Sequence, residues 1–171
     1  MPCSRRTFLV LAALLVAAPL AHLSAQAAPP APVTIFVVRH AERASTESDS
    51  PLSEAGQARA ERLAAMLADA GITHAFSTEF IRTKDTVAPV AARAGVTPTV
   101  VPARDMNALI SALTALPPGA RAVVAGHSNT INVIVGRLSS QEIPALDDSM
   151  YDRLYVVTLA GGAASWVLMH F

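Results

Sequence analysis

The chain has 171 residues, with 13 Lys and Arg against 13 Asp and Glu, five His and one Cys. That length indicates one domain, and the even charge argues against a protein that grips nucleic acid through its phosphate backbone. Cys3 is the only cysteine, so disulfides, thiolate catalysis and cysteine-ligated zinc are excluded for everything downstream of it.

The apolar fraction of 52% is inflated by the first 27 residues, whose only charges are Arg5 and Arg6. The apolar run 8–18 is too short to span ~30 Å of hydrocarbon as a helix. It reads as the core of an export signal, with Ala25-Gln26-Ala27 as the small-x-small cleavage site. The paired arginines followed by Thr7, Phe8 and Leu9 resemble the twin-arginine signal of bacterial export. The expected mature protein is periplasmic or secreted and free of the membrane, meeting the twin-arginine or general export machinery only in transit. Its 144 residues carry 11 basic and 13 acidic groups. It begins with a stiff, exposed Pro/Ala stub over residues 28–32, followed by a single domain over 33–171.

Within that domain, short β-branched runs alternate with longer helical ones. Residues 33–38 (VTIFVV) are continuously apolar, as a strand covered on both faces is. Residues 52–70 have helical spacing, with Ser53 as the cap and Gly71 as the stop. A strand is expected over 73–77, a helix over 79–94 containing Pro89 and ending at Gly95, and a strand over 97–101. A third helix over 104–116 stops at Pro117-Pro118-Gly119. A strand over 121–125 leads to a fourth helix over 129–138. Strands over 153–159 and 165–169, joined through Gly161-Gly162, read as a hairpin. This alternation predicts an α/β three-layer sandwich: a mostly parallel central sheet, helices on both faces and an antiparallel C-terminal hairpin.

Ligands of such sheets bind beyond the carboxyl ends of the strands. Arg39 and His40 directly follow the first strand. Arg82 comes shortly after the second, and His127 follows the fourth. Guanidinium groups match the anionic oxygens of a phosphoryl group, and a neutral imidazole nitrogen can attack phosphorus to form a phosphohistidine. Cationic neighbours should lower the pKa of His40 and keep it unprotonated. Two guanidiniums would repel a divalent cation, so neither metal nor cofactor is expected.

Val37-Val38-Arg39-His40-Ala41-Glu42 resembles the signature of the histidine phosphatase superfamily, the phosphoglycerate-mutase-like proteins, and in particular a small branch-1-type member. Residues 51–56 (PLSEAG) are similar to the family's helix start. Residues 77–86 (STEFIRTKDT) are similar to its second-arginine segment, and residues 124–129 (VAGHSN) to its second-histidine turn. The resemblance implies His40 as nucleophile, with Arg39, Arg82 and His127 clamping the phosphoryl group. Arg43 stands where another branch of the family places a further phosphate-contacting arginine. For the general acid the resemblance favours Asp105, with Glu42 and Glu79 as alternatives; Asp105 otherwise reads as a helix N-terminal residue favoured by the dipole.

The expected activity is therefore metal-independent hydrolysis of a small phosphorylated substrate, a phosphomonoester, through phospho-His40. A phosphotransferase or mutase on the same scaffold, or a non-catalytic phosphoanion binder, are the rivals. The acidic stretch 44–50 is expected to be a flexible loop at an open pocket. Asn129 is expected as a helix N-cap. His74, His170 and the segment Tyr151-Asp152-Arg153 are expected to be structural.

Overall fold

A computed structural model of the chain describes residues 28–171, so the expected export signal over residues 1–27 lies outside the described residues. The elements run β1 (Val33–Arg39), α1 (Glu54–Met66), β2 (His74–Ser77), α2 (Ile81–Ala94), β3 (Thr99–Val100), α3 (Met106–Thr114), β4 (Arg121–Gly126), α4 (Ser128–Ser139), β5 (Arg153–Ala160) and β6 (Ala163–His170). All ten expected elements form, most of them trimmed or extended by a residue or two.

The six strands make one sheet in the order β3-β2-β4-β1-β5-β6. The pairs β1–β4, β2–β4 and β2–β3 are parallel, while β5 runs antiparallel to β1 and β6 antiparallel to β5. Helices cover both faces. Val33, Ile35 and Val37 of β1 pack with Leu109, Leu113, Ile131, Ile134 and Val135 of α3 and α4. Val38 faces the other way, with Leu63 and Ala64 of α1 and Val87, Val90 and Ala91 of α2. Packing on both sides accounts for the apolar run, with only Thr34 and Phe36 partly exposed.

Local chemistry sets the ends. Ser53 caps α1, its Oγ accepting from Gly56 N at 3.1 Å. The first turn of α2 has no cap of its own, and Asp49 of the preceding loop accepts from Ile81 N at 2.8 Å. β3 is cut to two residues at the sheet edge, between Pro98 and Pro102, which carry no N–H to donate. Gly161 and Gly162 have φ of 57° and 83°, the positive values that a two-residue hairpin turn requires at both positions.

Two expectations are corrected here. The N-cap of α4 is His127, not Asn129, because the helix begins one residue earlier, at Ser128. Loop 44–50 is tied down. Ala44 N donates to Pro51 O, Ser45 N to Ser50 Oγ and Arg82 Nη1 to Ser48 O, at 2.9, 2.9 and 2.7 Å. The stub is exposed as expected, yet Gly119 N donates to Ala31 O at 3.1 Å and pins it to the body. Among the described residues no helix is long and apolar enough to cross a membrane.

Candidate active site

Parallel pairing brings the carboxyl ends of β1, β2 and β4 to one edge. Arg39 pairs in register with Gly126, and His40 N donates to Gly126 O at 2.9 Å. Residues 40 and 127, far apart in sequence, therefore leave adjacent strands side by side. Their rings meet edge-on, with centroids 5.4 Å apart and planes at 63°. Because β5 returns antiparallel beside β1, the segment leading into it arrives at the same edge and delivers Asp148 and Tyr151.

A cleft of ≈ 390 Å³ opens here, lined by Arg39, His40, Arg43, Arg82, His127 and Asp148, with Phe80, Arg104 and the first turn of α4 completing the wall. The structure thus gathers Arg39, His40, Arg43, Arg82 and His127. None of the expected carboxyls lines the cleft, although Glu79 is near enough for its charge to oppose the burial and the Arg82 charge that lower the pKa of His127. Asp105 is the N-cap of α3, its Oδ1 accepting from Ala108 N at 2.9 Å, and it lines a small cavity with Ser77, Val101 and Leu109 that adjoins the cleft through Ala103 and Thr130. Glu42 is held bidentately by Arg59 Nε and Nη2, with distances of 2.7 to 3.0 Å. Glu79 accepts from Ala103 N at 2.7 Å.

His40 is 4% exposed. Its Nδ1 lies 2.8 Å from Ala41 O. A carbonyl oxygen only accepts, so Nδ1 carries the proton and Nε2 keeps its lone pair. Burial drives the His40 pKa down to about 3, with Arg39, His127 and Arg82 pushing the same way against the Ala41 hydrogen bond. Ala41 is fully buried; its N–H donates to Thr86 Oγ1 at 2.9 Å, and its methyl packs with Leu52 and Ala60.

His127 has the reverse tautomer. Arg82 Nη2, which can only donate, lies 3.4 Å from Nδ1. Nε2 must then bear the proton and give it to Thr78 Oγ1 at 3.1 Å. Thr78 Oγ1 passes its own to Thr83 Oγ1 at 2.8 Å, which donates to Phe80 O at 2.8 Å. Burial, reinforced by Arg82, takes the His127 pKa down to about 4.

Both clamp arginines are buried and held. Arg39 Nη1 donates to the carbonyls of Asp148 and Asp147 at 2.7 and 3.3 Å, and its guanidinium lies 4.1 Å from the Tyr151 ring centre. Arg82 lies 4.3 Å from the Phe80 ring centre. The Nε of each is buried without a hydrogen-bond partner among the described residues, a costly state. At the start of α4, Thr130 N already donates to His127 O at 2.9 Å, so the N–H groups of Ser128 and Asn129 are the ones placed to meet an anion.

Sequence reasoning missed Asp148, Phe80 and Arg104. Nothing near Asp148 in sequence signals a site; only the antiparallel return of β5 places it. Arg104 carried a usable signal, since it follows a strand at the same edge. Among the described residues no group of three or more His, Cys, Asp or Glu side chains gathers in a way that could hold a metal ion.

The family model for the histidine phosphatase superfamily (branch 1) matches residues 35–105. No curated protein matches the chain. Among solved structures, the protein histidine phosphatase SixA complexed with tungstate is similar with a TM-score of 0.68 and 22% identity, over 80% of this chain and 96% of that one. A mycobacterial glucosyl-3-phosphoglycerate phosphatase has a TM-score of 0.64 and 13% identity, over 81% of this chain and 97% of that one. A phosphoglycerate mutase from Plasmodium falciparum has a TM-score of 0.59 and 19% identity, over 82% and 91%. At these identities the likeness is one of fold.

Proposed function

We propose that this chain, a member of the histidine phosphatase superfamily (branch 1), is an exported phosphatase that hydrolyses phosphomonoesters through a phosphohistidine on His40. The observation that carries this reading is the state of His40. Its Nδ1–H is tied to Ala41 O, and its Nε2 lone pair is free beside two buried guanidiniums that each hold an unpartnered Nε.

In the first step Nε2 attacks phosphorus, a P–N bond forms and the ester P–O bond breaks. The leaving oxygen departs with the bonding pair and takes a proton from solvent water. In the second step water attacks the phosphoryl group, the P–N bond breaks, and its electron pair returns to Nε2. Inorganic phosphate leaves, with a proton released to solvent. Splitting one displacement into two lowers each barrier. Arg39, Arg82 and the first turn of α4 hold the equatorial oxygens, whose charge grows in the transition state.

The test is direct. The mature protein, given a 32P-labelled aryl phosphate and quenched in base, should carry label that survives base and is lost in acid, and His40→Asn should carry none. Hydrolysis without a labelled intermediate, or labelling of the His40→Asn protein, overturns the nucleophile assignment.

A further inference from the structure

The two edges of the sheet are built differently. β3 closes one side with two residues between Pro98 and Pro102, short and flanked by proline, which is how an edge is blunted against further pairing. β6 closes the other with eight residues, AASWVLMH, that include no Pro, Lys, Arg, Asp or Glu. Val167, Leu168 and Met169 are large apolar side chains left exposed along it, Val167 at 62%.

The hairpin decides which backbone groups β6 leaves open. Its two-residue turn makes Ala160 and Ala163 a hydrogen-bonded pair, and such pairs alternate along an antiparallel ladder. In the observed register Ser165, Val167 and Met169 then bond back to Thr158, Val156 and Leu154. Ala164, Trp166, Leu168 and His170 turn their N–H and C=O groups the other way, where the sheet has no further strand.

This edge is complementary to itself. Two copies laid antiparallel about a two-fold axis at Val167 set Ala164 of each against His170 of the other, and Trp166 against Leu168. Every outward residue then meets an outward residue, and no like charges face each other. Trp166 and Leu168 also line an apolar groove of ≈ 300 Å³ with Ile143, Pro144, Met150 and Tyr155, so the same register sets the two grooves side by side.

We propose that β6 is a self-association edge, on which a second copy of this chain pairs antiparallel about Val167 and joins the two sheets into one. Eight residues make a strip about 27 Å long and ~10 Å deep. That is on the order of 300 Å² a side, below the ~800 Å² a side of a stable dimer. The dimer is therefore weak, with a Kd of about 10 µM or above. It does not depend on the chemistry at His40.

Sedimentation of the mature protein from about 5 to about 300 µM, a range that brackets this Kd, should show a monomer passing into a dimer. Val167→Lys sets two like charges on the axis and should stay monomeric with a melt like the wild type's. Cysteine variants test the register, since the chain downstream of Cys3 has no other cysteine. The Cα atoms of a non-hydrogen-bonded pair lie ~4.5 Å apart, within disulfide reach, so Val167→Cys should crosslink two copies under mild oxidation. Ser165→Cys faces Met169 of the other copy and should not. A monomer at every concentration, a Val167→Lys dimer, or crosslinking that does not distinguish position 167 from position 165 overturns the proposal.

Discussion

His40 and His127 lie with ring centres 5.4 Å apart and carry opposite tautomers, each imposed by a partner with a single hydrogen-bonding role. Ala41 O can only accept, so His40 presents a lone pair at Nε2. Arg82 can only donate, so His127 has its lone pair at Nδ1 and its proton at Nε2. His40→Asn removes the attacking lone pair while keeping a polar side chain of similar reach. Turnover of a generic aryl phosphate should fall by on the order of 10³-fold or more, the usual scale for losing a group acting in the transition state, while the thermal melt stays cooperative. Turnover within tenfold of the wild type would falsify the assignment.

Burial first, and the guanidiniums after it, take the pKa of His40 to about 3 and of His127 to about 4, against about 6.5 in the unfolded chain. Between those values the unfolded chain binds more protons than the folded one, so stability rises with pH. The contribution is complete above about 6.5 and is lost as pH falls through the folded values. Thermal melts should therefore decline from pH 6.5 to pH 4.5, a window chosen to lie above most carboxylate titration. His40→Asn should flatten that slope. A slope as steep as the wild type's would mean that His40 titrates normally in the folded protein. The same neutrality predicts that aryl phosphate turnover persists down to about pH 4, since the nucleophile stays unprotonated.

Asp148 sits 3.4 Å from Arg39 Nη2 with its side chain 88% exposed. An incoming oxyanion competes with it for the same guanidinium. Asp148→Asn keeps an acceptor for Ser128 Oγ and removes the charge. It should tighten binding of orthovanadate by up to about fivefold, a value already limited by solvent screening at so exposed a site. Inhibition constants measured in low and high salt check this, and the gain should shrink in salt. Weaker inhibition would show that Asp148 positions Arg39 and does not compete for it.

Asp105 shows how a residue can be correct in sequence pattern and differently placed in space. Its carboxyl caps α3 and lines a small cavity beside the cleft, not the cleft itself. Asp105→Asn preserves the cap, and Asp105→Ala should cost about 1 kcal/mol of stability. Neither should change the ratio of alkyl to aryl phosphate turnover. A selective loss on alkyl substrates, measured as kcat/KM, would return the proton-donor role to Asp105.

Most of the site was readable because it consists of residues at the ends of parallel strands. The apolar run 33–38 announced a strand covered on both faces and the run 121–125 announced another strand, and His40 and His127 follow them within two residues. What was not readable depends on pairing partners. Asp148 and Tyr151 reach Arg39 only because β5 pairs antiparallel with β1, which no local pattern encodes. The cap of α2 comes from Asp49, 32 residues before the N–H it accepts from. The hydrogen-bond partners of the alternative carboxyls were hidden for the same reason: Arg59 reaches Glu42 and Ala103 N reaches Glu79 only through tertiary packing.

Gly56 links the fold to the site more tightly than its place in a helix suggests. A Cβ at this position would collide with Glu42 O and stand 3.0 Å from Glu42 N, both backbone atoms that no side-chain rotation can clear. Helix α1 therefore rests directly on the segment that follows His40, and Glu42 O also accepts from Ser53 N at 2.9 Å. Glycine in a helix interior costs up to about 1 kcal/mol relative to alanine, so Gly56→Ala would stabilise α1 in isolation. Here the methyl should push α1 and the 40–43 segment apart, and overpacking of this kind costs typically 1–3 kcal/mol. The expected result is a lower melting temperature together with a fall in kcat, because the same displacement tilts His40 away from Arg82 and His127. Urea melts and steady-state kinetics on Gly56→Ala check both effects. A stabilised protein with full activity would show that the contact between α1 and Glu42 is slack.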